Sequence, residues 1–196
     1  MHISLTQRRS PWVVCTRRDD AWLRTESAEL TRRGGRVVRL DGRRMRNPDA
    51  VFDAFAQQLA FPGYFGRNWD ALVDCLRDWH GHGGDSKDLA VFIDHADGLR
   101  HTEFLGLLVS VLCQAAWHAN LQLDADGVPH QDARPFALHF VLLVHTVSPA
   151  AFADAVAGGQ DVSATLDGER LTATLTADDW PETAAAAHQG TINTSP

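Results

Sequence analysis

The sequence predicts an α/β fold: a small, mainly parallel β-sheet flanked by α-helices, with an extra strand-helix unit before it and a β-hairpin after it. Three observations carry that expectation. Short β-branched runs alternate with longer stretches of helical periodicity, the order of an α/β layer structure. The run from Phe136 to Val144 is apolar at nearly every position, as expected of a strand buried on both faces. Strands joined through helices rather than tight turns pair in parallel, with right-handed crossovers.

The elements follow in order. Trp12-Val13-Val14-Cys15 reads as a strand, and Asp19 or Asp20 can cap a helix that stops at Gly34-Gly35. Arg36 to Leu40 is a second strand, ended by Asp41-Gly42. Asn47-Pro48 then supplies an N-cap and a first-turn proline for a helix with Val51, Phe52, Phe55 and Leu59 on one face, ended by Phe61-Pro62-Gly63. A further helix spans about Asn68 to Trp79, followed by the loop His80-Gly81-His82-Gly83-Gly84 and the strand Leu89 to Ile93. Thr102 can cap a largely buried helix reaching about His118. Asp124-Ala125-Asp126-Gly127 marks a loop before the buried strand. Past Ser148-Pro149, Val162 to Leu166, Asp167-Gly168 and Leu171 to Leu175 read as a hairpin with a two-residue turn.

These elements divide the chain into an N-terminal strand-helix unit at 1–35, a central domain at 36–146, an extension with the hairpin at 147–183, and a tail at 184–196 expected to be disordered. With 196 residues, 44% of them apolar, the chain can bury one sizeable core but not two.

Charge is unevenly spread. The formal net charge is -7, yet residues 1–46 hold 12 arginines against 5 acids, while the remainder holds 6 bases against 20 acids. An acidic majority disfavours direct nucleic-acid binding and favours a basic protein partner. Cys15, Cys75 and Cys113 cannot all pair, and each lies in an apolar stretch, which suits a reducing compartment. The apolar segment Phe104 to Trp117 is too short to span a bilayer. A soluble cytoplasmic protein, monomeric when free and without a membrane association, is expected.

The helix beginning near Asn68 carries the functional signal. At about 100° per residue, Asp70, Asp74 and Asp78 fall within roughly 80° of one another, opposite Leu72, Cys75, Leu76 and Trp79. Like charges four apart repel slightly, and only Arg77 is placed to relieve Asp74 and Asp70. A charged outer face often does no more than keep a helix soluble, and Asp70 in the first turn gains from the helix dipole. The approach loop adds to the stripe: Tyr64, Phe65 and Trp69 stand near the helix start around Gly66, and aromatics bordered by charge are the composition of an interface core. One or two of the three are expected to anchor the loop to the core instead.

Pro62, Tyr64, Gly66, Asn68, Asp70, Ala71, Leu72, Asp74, Cys75 and Leu76 together resemble the signature of the barstar family of ribonuclease inhibitors. The likeness extends over roughly Arg36 to Val144 and leaves out the N-terminal unit and the hairpin. It implies a fold with a small parallel sheet and a protein that neutralises a ribonuclease or ribonuclease-type toxin, an immunity protein or antitoxin rather than an enzyme. It also implies that Asp74 enters the phosphate-binding site of the nuclease, that Asp70 pairs with basic residues at its rim, and that Tyr64, Gly66, Asn68 and Val73 supply surrounding contacts. No catalytic residue, metal or cofactor is implied. Val73 stands where the family's best-known member has an aromatic, Arg67 where it has an acid, and the helix after Glu103 offers no acid to extend the surface.

Two other constellations bear on function. His80 and His82 with Asp85 could begin a metal site, but no further ligand at regular spacing follows. Asp94-His95 and Asp97 follow a strand at the end where open α/β sheets place active sites, which allows a metal-dependent phosphoester hydrolase using Asp70, Asp74 and Asp94. No nucleophile with an adjacent base and no phosphate-binding glycine loop accompanies them. A third reading keeps the fold and makes the helix a non-inhibitory docking face for some other basic protein.

Overall fold

The computed structural model describes residues 3–79, 87–121 and 135–176. The His80–Gly84 loop, Asp85, the Asp124–Gly127 loop and the tail from 184 lie outside the described residues.

Among the described residues six strands form one sheet: β1 (Val13–Arg17), β2 (Arg36–Asp41), β3 (Leu89–Asp94), β4 (Leu138–Val144), β5 (Val162–Asp167) and β6 (Arg170–Leu175). Their order across the sheet is β2-β3-β4-β1-β6-β5. The first four run parallel, as helical connections require; β6 is antiparallel to β1 and to β5. The first strand in sequence therefore lies inside the sheet, Val13 pairing with Phe140 on one side and Ala173 on the other.

Among the described residues five α-helices surround the sheet: α1 (Ala21–Arg32), α2 (Pro48–Leu59), α3 (Trp69–Arg77), α4 (Leu105–Leu121) and the short α5 (Ala153–Ala157). Alternation along the central strands divides the core. Leu89, Val91 and Ile93 of β3 point into the large cluster with α2, α3, α4 and α5, whereas Ala90 and Phe92 point into a smaller one with Leu23 and Leu30 of α1 and with Leu5. All seven residues of β4 are buried, because it is covered on both faces.

Local chemistry sets the helix ends. Asp20 caps α1, accepting from the Trp22 amide at 2.9 Å, and Gly34 follows its end with φ 85°, a conformation glycine adopts without strain. Asn47 caps α2 with Pro48 as its first residue. That helix ends on Ala60 in the left-handed region, one residue before Phe61-Pro62-Gly63. Thr102 does not cap α4: its hydroxyl donates to Leu99 O at 2.7 Å, closing a 3-10 turn over Ala96–His101, and α4 starts three residues later. The hairpin turn is Gly168-Glu169 rather than Asp167-Gly168, since Asp167 still pairs with Arg170, and Gly168 takes φ 62°.

Two contacts fix the carboxyl end of the sheet. After β2, a Cβ on Gly42 would lie 2.9 Å from the carbonyl oxygens of both Asp94 and His95, so the turns after β2 and β3 meet backbone to backbone there. The Asp97 carboxylate caps the end of β4, accepting from the amides of His145 (3.0 Å), Thr146 (2.7 Å) and Val147 (3.1 Å) and from the Thr146 hydroxyl. Burial pushes the Asp97 carboxyl up, but these donors outweigh it and hold the group well below the ordinary carboxylate range.

Candidate functional site

α3 and its approach loop are built on a frame of aromatics and one asparagine. Asn68 takes an extended conformation and its Oδ1 accepts from the Ala71 amide at 2.8 Å, while its Nδ2 reaches back to Gly66 O at 3.4 Å. A Cβ on Gly66 would come within 3.2 Å of that Nδ2, so the bare glycine leaves room for the cap. Of the three loop aromatics, two are anchors. Phe65 meets Phe52 and Phe61 edge-on, and Trp69 meets Phe52 at 4.8 Å and Phe104 at 6.4 Å between ring centroids. The third, Tyr64, is the chain's single tyrosine and stands 85% exposed.

Leu72, Val73 and Leu76 bury one face of α3 against the core, and Asp70, Asp74 and Asp78 stand on the exposed one. Tyr64, Gly66, Asn68, Asp70 and Asp74 are all exposed. Val73 is only 8% exposed and belongs to the core cluster, leaving little of it to touch a partner.

The charges on this surface are arranged rather than diffuse. Arg77 pairs with Asp74 at 3.0 Å and, through two nearly parallel bonds of 2.8 and 2.9 Å, with Asp78. It does not reach Asp70, which the sequence left as a possible partner. Among the described residues Asp70 has no ion-pair or hydrogen-bond partner, and its place in the first turn puts it at the positive end of the helix dipole. Arg67, in the left-handed region at φ 51°, is tied to Asp53 of α2. His118 of α4 lies close by: burial lowers its affinity for a proton, the Arg77 charge adds to that, and Asp74 opposes it. Burial, together with the Asp74 and Asp78 charges, likewise pushes the Cys75 thiol up, away from reactivity.

Asp94 lies elsewhere, at the end of β3, where Oδ2 accepts from Arg39 at 2.8 Å. Among the described residues no group of three or more His, Cys, Asp or Glu is arranged to hold a metal ion, so Asp70, Asp74 and Asp94 do not form one. The His80–His82–Asp85 constellation lies outside the described residues. No helix among the described residues is long and apolar enough to cross a membrane.

Sequence reasoning did not single out the Arg77–Asp78 clamp or the Arg67–Asp53 pair. The i, i+3 spacing of Asp74 and Arg77 signals that pair alone, and adjacent residues such as Arg77 and Asp78 share no helical face in the ideal pattern.

Residues 35–139 match the family model described as Barstar (barnase inhibitor). A stretch of 44 residues is 46% identical to a Bacillus subtilis (strain 168) protein named "Putative ribonuclease inhibitor YrdF", covering 22% of this chain and 48% of that protein, about half its length.

Proposed function

The chain belongs to the barstar family, and from that membership we propose that it is a protein inhibitor that occludes the active site of a ribonuclease or ribonuclease-type toxin with α3 and its approach loop. It acts by binding rather than by catalysis. In this reading Asp74 takes the place of the scissile phosphate among the cations of the nuclease, Asp70 pairs at the rim, and Tyr64, Gly66, Asn68 and the exposed edge of Val73 complete the contact.

The observation that carries the proposal is the pairing of an 85% exposed tyrosine with a capped helix whose outward face holds three carboxylates. An exposed aromatic next to fixed charge is what a partner of opposite sign can bury. A nuclease site is a concentrated positive field, so an acidic surface meets it quickly and forms charge-assisted bonds in a partly desolvated cleft. The free thiols of Cys15 and Cys75 support a cytoplasmic setting, where such an inhibitor would protect the RNA of its own cell.

The test is an RNA-cleavage assay in which the purified chain is titrated into a panel of guanyl-type ribonucleases and any ribonuclease toxin encoded beside it. Stoichiometric loss of cleavage by at least one is expected. Full cleavage by every member at saturating chain would reject the proposal.

A further inference from the structure

We infer that the partner-binding surface continues from α3 onto α4, where Leu107 receives an apolar side chain that the same basic partner carries beside its cationic site. The inference rests on the inhibitor reading above and specifies the partner of that surface.

The two helices are joined at their starts by a pair of rings. Trp69, the first residue of α3, lies 6.4 Å between ring centroids from Phe104, whose carbonyl oxygen accepts from the Leu108 amide at 2.8 Å and opens the first turn of α4. Both rings are partly buried against the core. Leu107 is one turn on from Phe104, about 60° from it around the helix axis and about as far from Ser110 on the other side. Ser110 belongs to the flank that the C-terminal extension covers: its hydroxyl donates to Gln160 O at 2.7 Å, and Gly106 packs on the backbone of Gly158 and Gly159. Leu107 therefore stands on the ridge between that flank and the one meeting α3, and it is 41% exposed.

A single exposed leucine is ordinary on a protein surface. This one stands beside the proposed interface, within a frame of charge. Asp70 follows Trp69 and Glu103 precedes Phe104, and both acids are exposed. A stable protein contact covers about 20–30 residues on each side. Residues 62–78 alone do not supply that, because Leu72, Val73, Leu76 and much of Phe65 and Trp69 are turned inward. Towards α2 the neighbouring surface is the Arg67–Asp53 pair, whose charges already satisfy each other. Towards α4 it is Phe104 and Leu107. An apolar group docked there is enclosed between carboxylates that hold the partner's cations, the apolar centre and polar rim of a specific interface.

The experiment compares wild type, Leu107→Ala, Leu107→Asp and Leu166→Ala for binding to the guanyl-type ribonuclease or neighbouring toxin that the wild-type chain inhibits, each shown by circular dichroism to be folded. Leu166, 50% exposed on β5, controls for the loss of an exposed leucine. Leu107→Ala is expected to bind at least tenfold more weakly, through faster dissociation and by the same factor at low and high salt, since apolar contact is not screened. Leu166→Ala is expected to stay within twofold. Leu107→Asp separates apolar contact from charge: added acidity alone speeds association and tightens binding to a basic partner, whereas an apolar contact is lost and a carboxylate desolvated in its place. Binding by Leu107→Ala within twofold of wild type, or tighter binding by Leu107→Asp, overturns the inference. Self-association of the free wild-type chain that Leu107→Ala abolishes would assign the ridge to a second copy and overturn it equally. A wild-type chain that inhibits nothing in the panel rejects the inhibitor reading itself, and this inference with it, before any variant is compared.

Discussion

The Asp20 carboxylate accepts two hydrogen bonds from the Arg170 guanidinium, at 2.6 and 2.8 Å, joining the start of α1 to the start of β6. The same carboxylate accepts from the Thr16 hydroxyl of β1 and caps α1 through the Trp22 amide. One side chain thus ties the N-terminal strand and helix to the C-terminal hairpin, whose strand β6 pairs directly with β1. The Arg170 guanidinium also lies over the Trp22 ring at 5.2 Å.

That network predicts a pH dependence of stability. The Arg170 hydrogen bond, helped by Thr16, the Trp22 amide and the Arg170 charge against an opposing effect of burial, lowers the Asp20 carboxyl from 3.8 to about 2. The folded group is the stronger acid, so its stabilising contribution is complete above the unfolded value and is lost as pH falls from about 4 towards 2. Asp97, held low by its amide donors, adds a loss of the same sign over the acid range. Denaturant midpoints measured from pH 6 down to pH 2 are expected to fall, and Asp20→Asn is expected to flatten the curve. A curve of the same slope in that variant contradicts the assignment.

Gly42→Ala tests the close approach at the carboxyl end of the sheet. The added methyl meets two backbone carbonyl oxygens at 2.9 Å, neither of which is free to swing aside as a side chain would. A loss of about 1–3 kcal/mol in urea unfolding is expected, the usual cost of overpacking. Gly98→Ala, where a Cβ meets nothing within 4 Å, is the control and is expected to change stability little.

Asn68→Ala removes the N-cap of α3 and is expected to cost about 1 kcal/mol of stability. Because the cap also holds Gly66 beside the helix start, inhibition should weaken along with it. Asn68→Asp restores an acceptor for the Ala71 amide and should recover most of the stability, as read by thermal melting.

Association with the target ribonuclease is expected to slow as salt rises, since carboxylate-driven encounter is screened over a Debye length of about 8–10 Å at 0.1–0.15 M. Stopped-flow association at increasing sodium chloride should show the rate constant falling while dissociation changes little. A rate indifferent to salt would assign recognition to the aromatic loop rather than to the charges.

Much of the architecture was legible in the sequence because it rests on local signals. Period 3.6 with Asn47-Pro48 defines α2, Asn68 before the apolar face of α3 defines that helix, and the unbroken apolar run from Phe136 defines a strand covered on both sides. The position of β1 was not legible, because its pairing with Phe140 and Ala173 joins residues more than a hundred positions apart, and periodicity says nothing about such partners. The same holds for the contact at Gly42, which depends on a turn after β3. At the site, the outward stripe followed from helical spacing. The depth of Val73, on the flank between the two faces of α3, depends on how the helix sits against the core, which no spacing rule fixes.

The most direct test of the proposed function is the dissociation constant for the target ribonuclease of wild type, Asp74→Ala and Asp78→Ala, each shown by circular dichroism to be folded. Loss of an anchoring carboxylate from a desolvated cleft is expected to cost at least about 2 kcal/mol, roughly thirtyfold. Asp78, whose carboxylate is turned to Arg77, should cost far less. A large loss for Asp74→Ala with a small one for Asp78→Ala is the predicted result, and equal small losses in both variants would show that α3 contributes only diffuse charge.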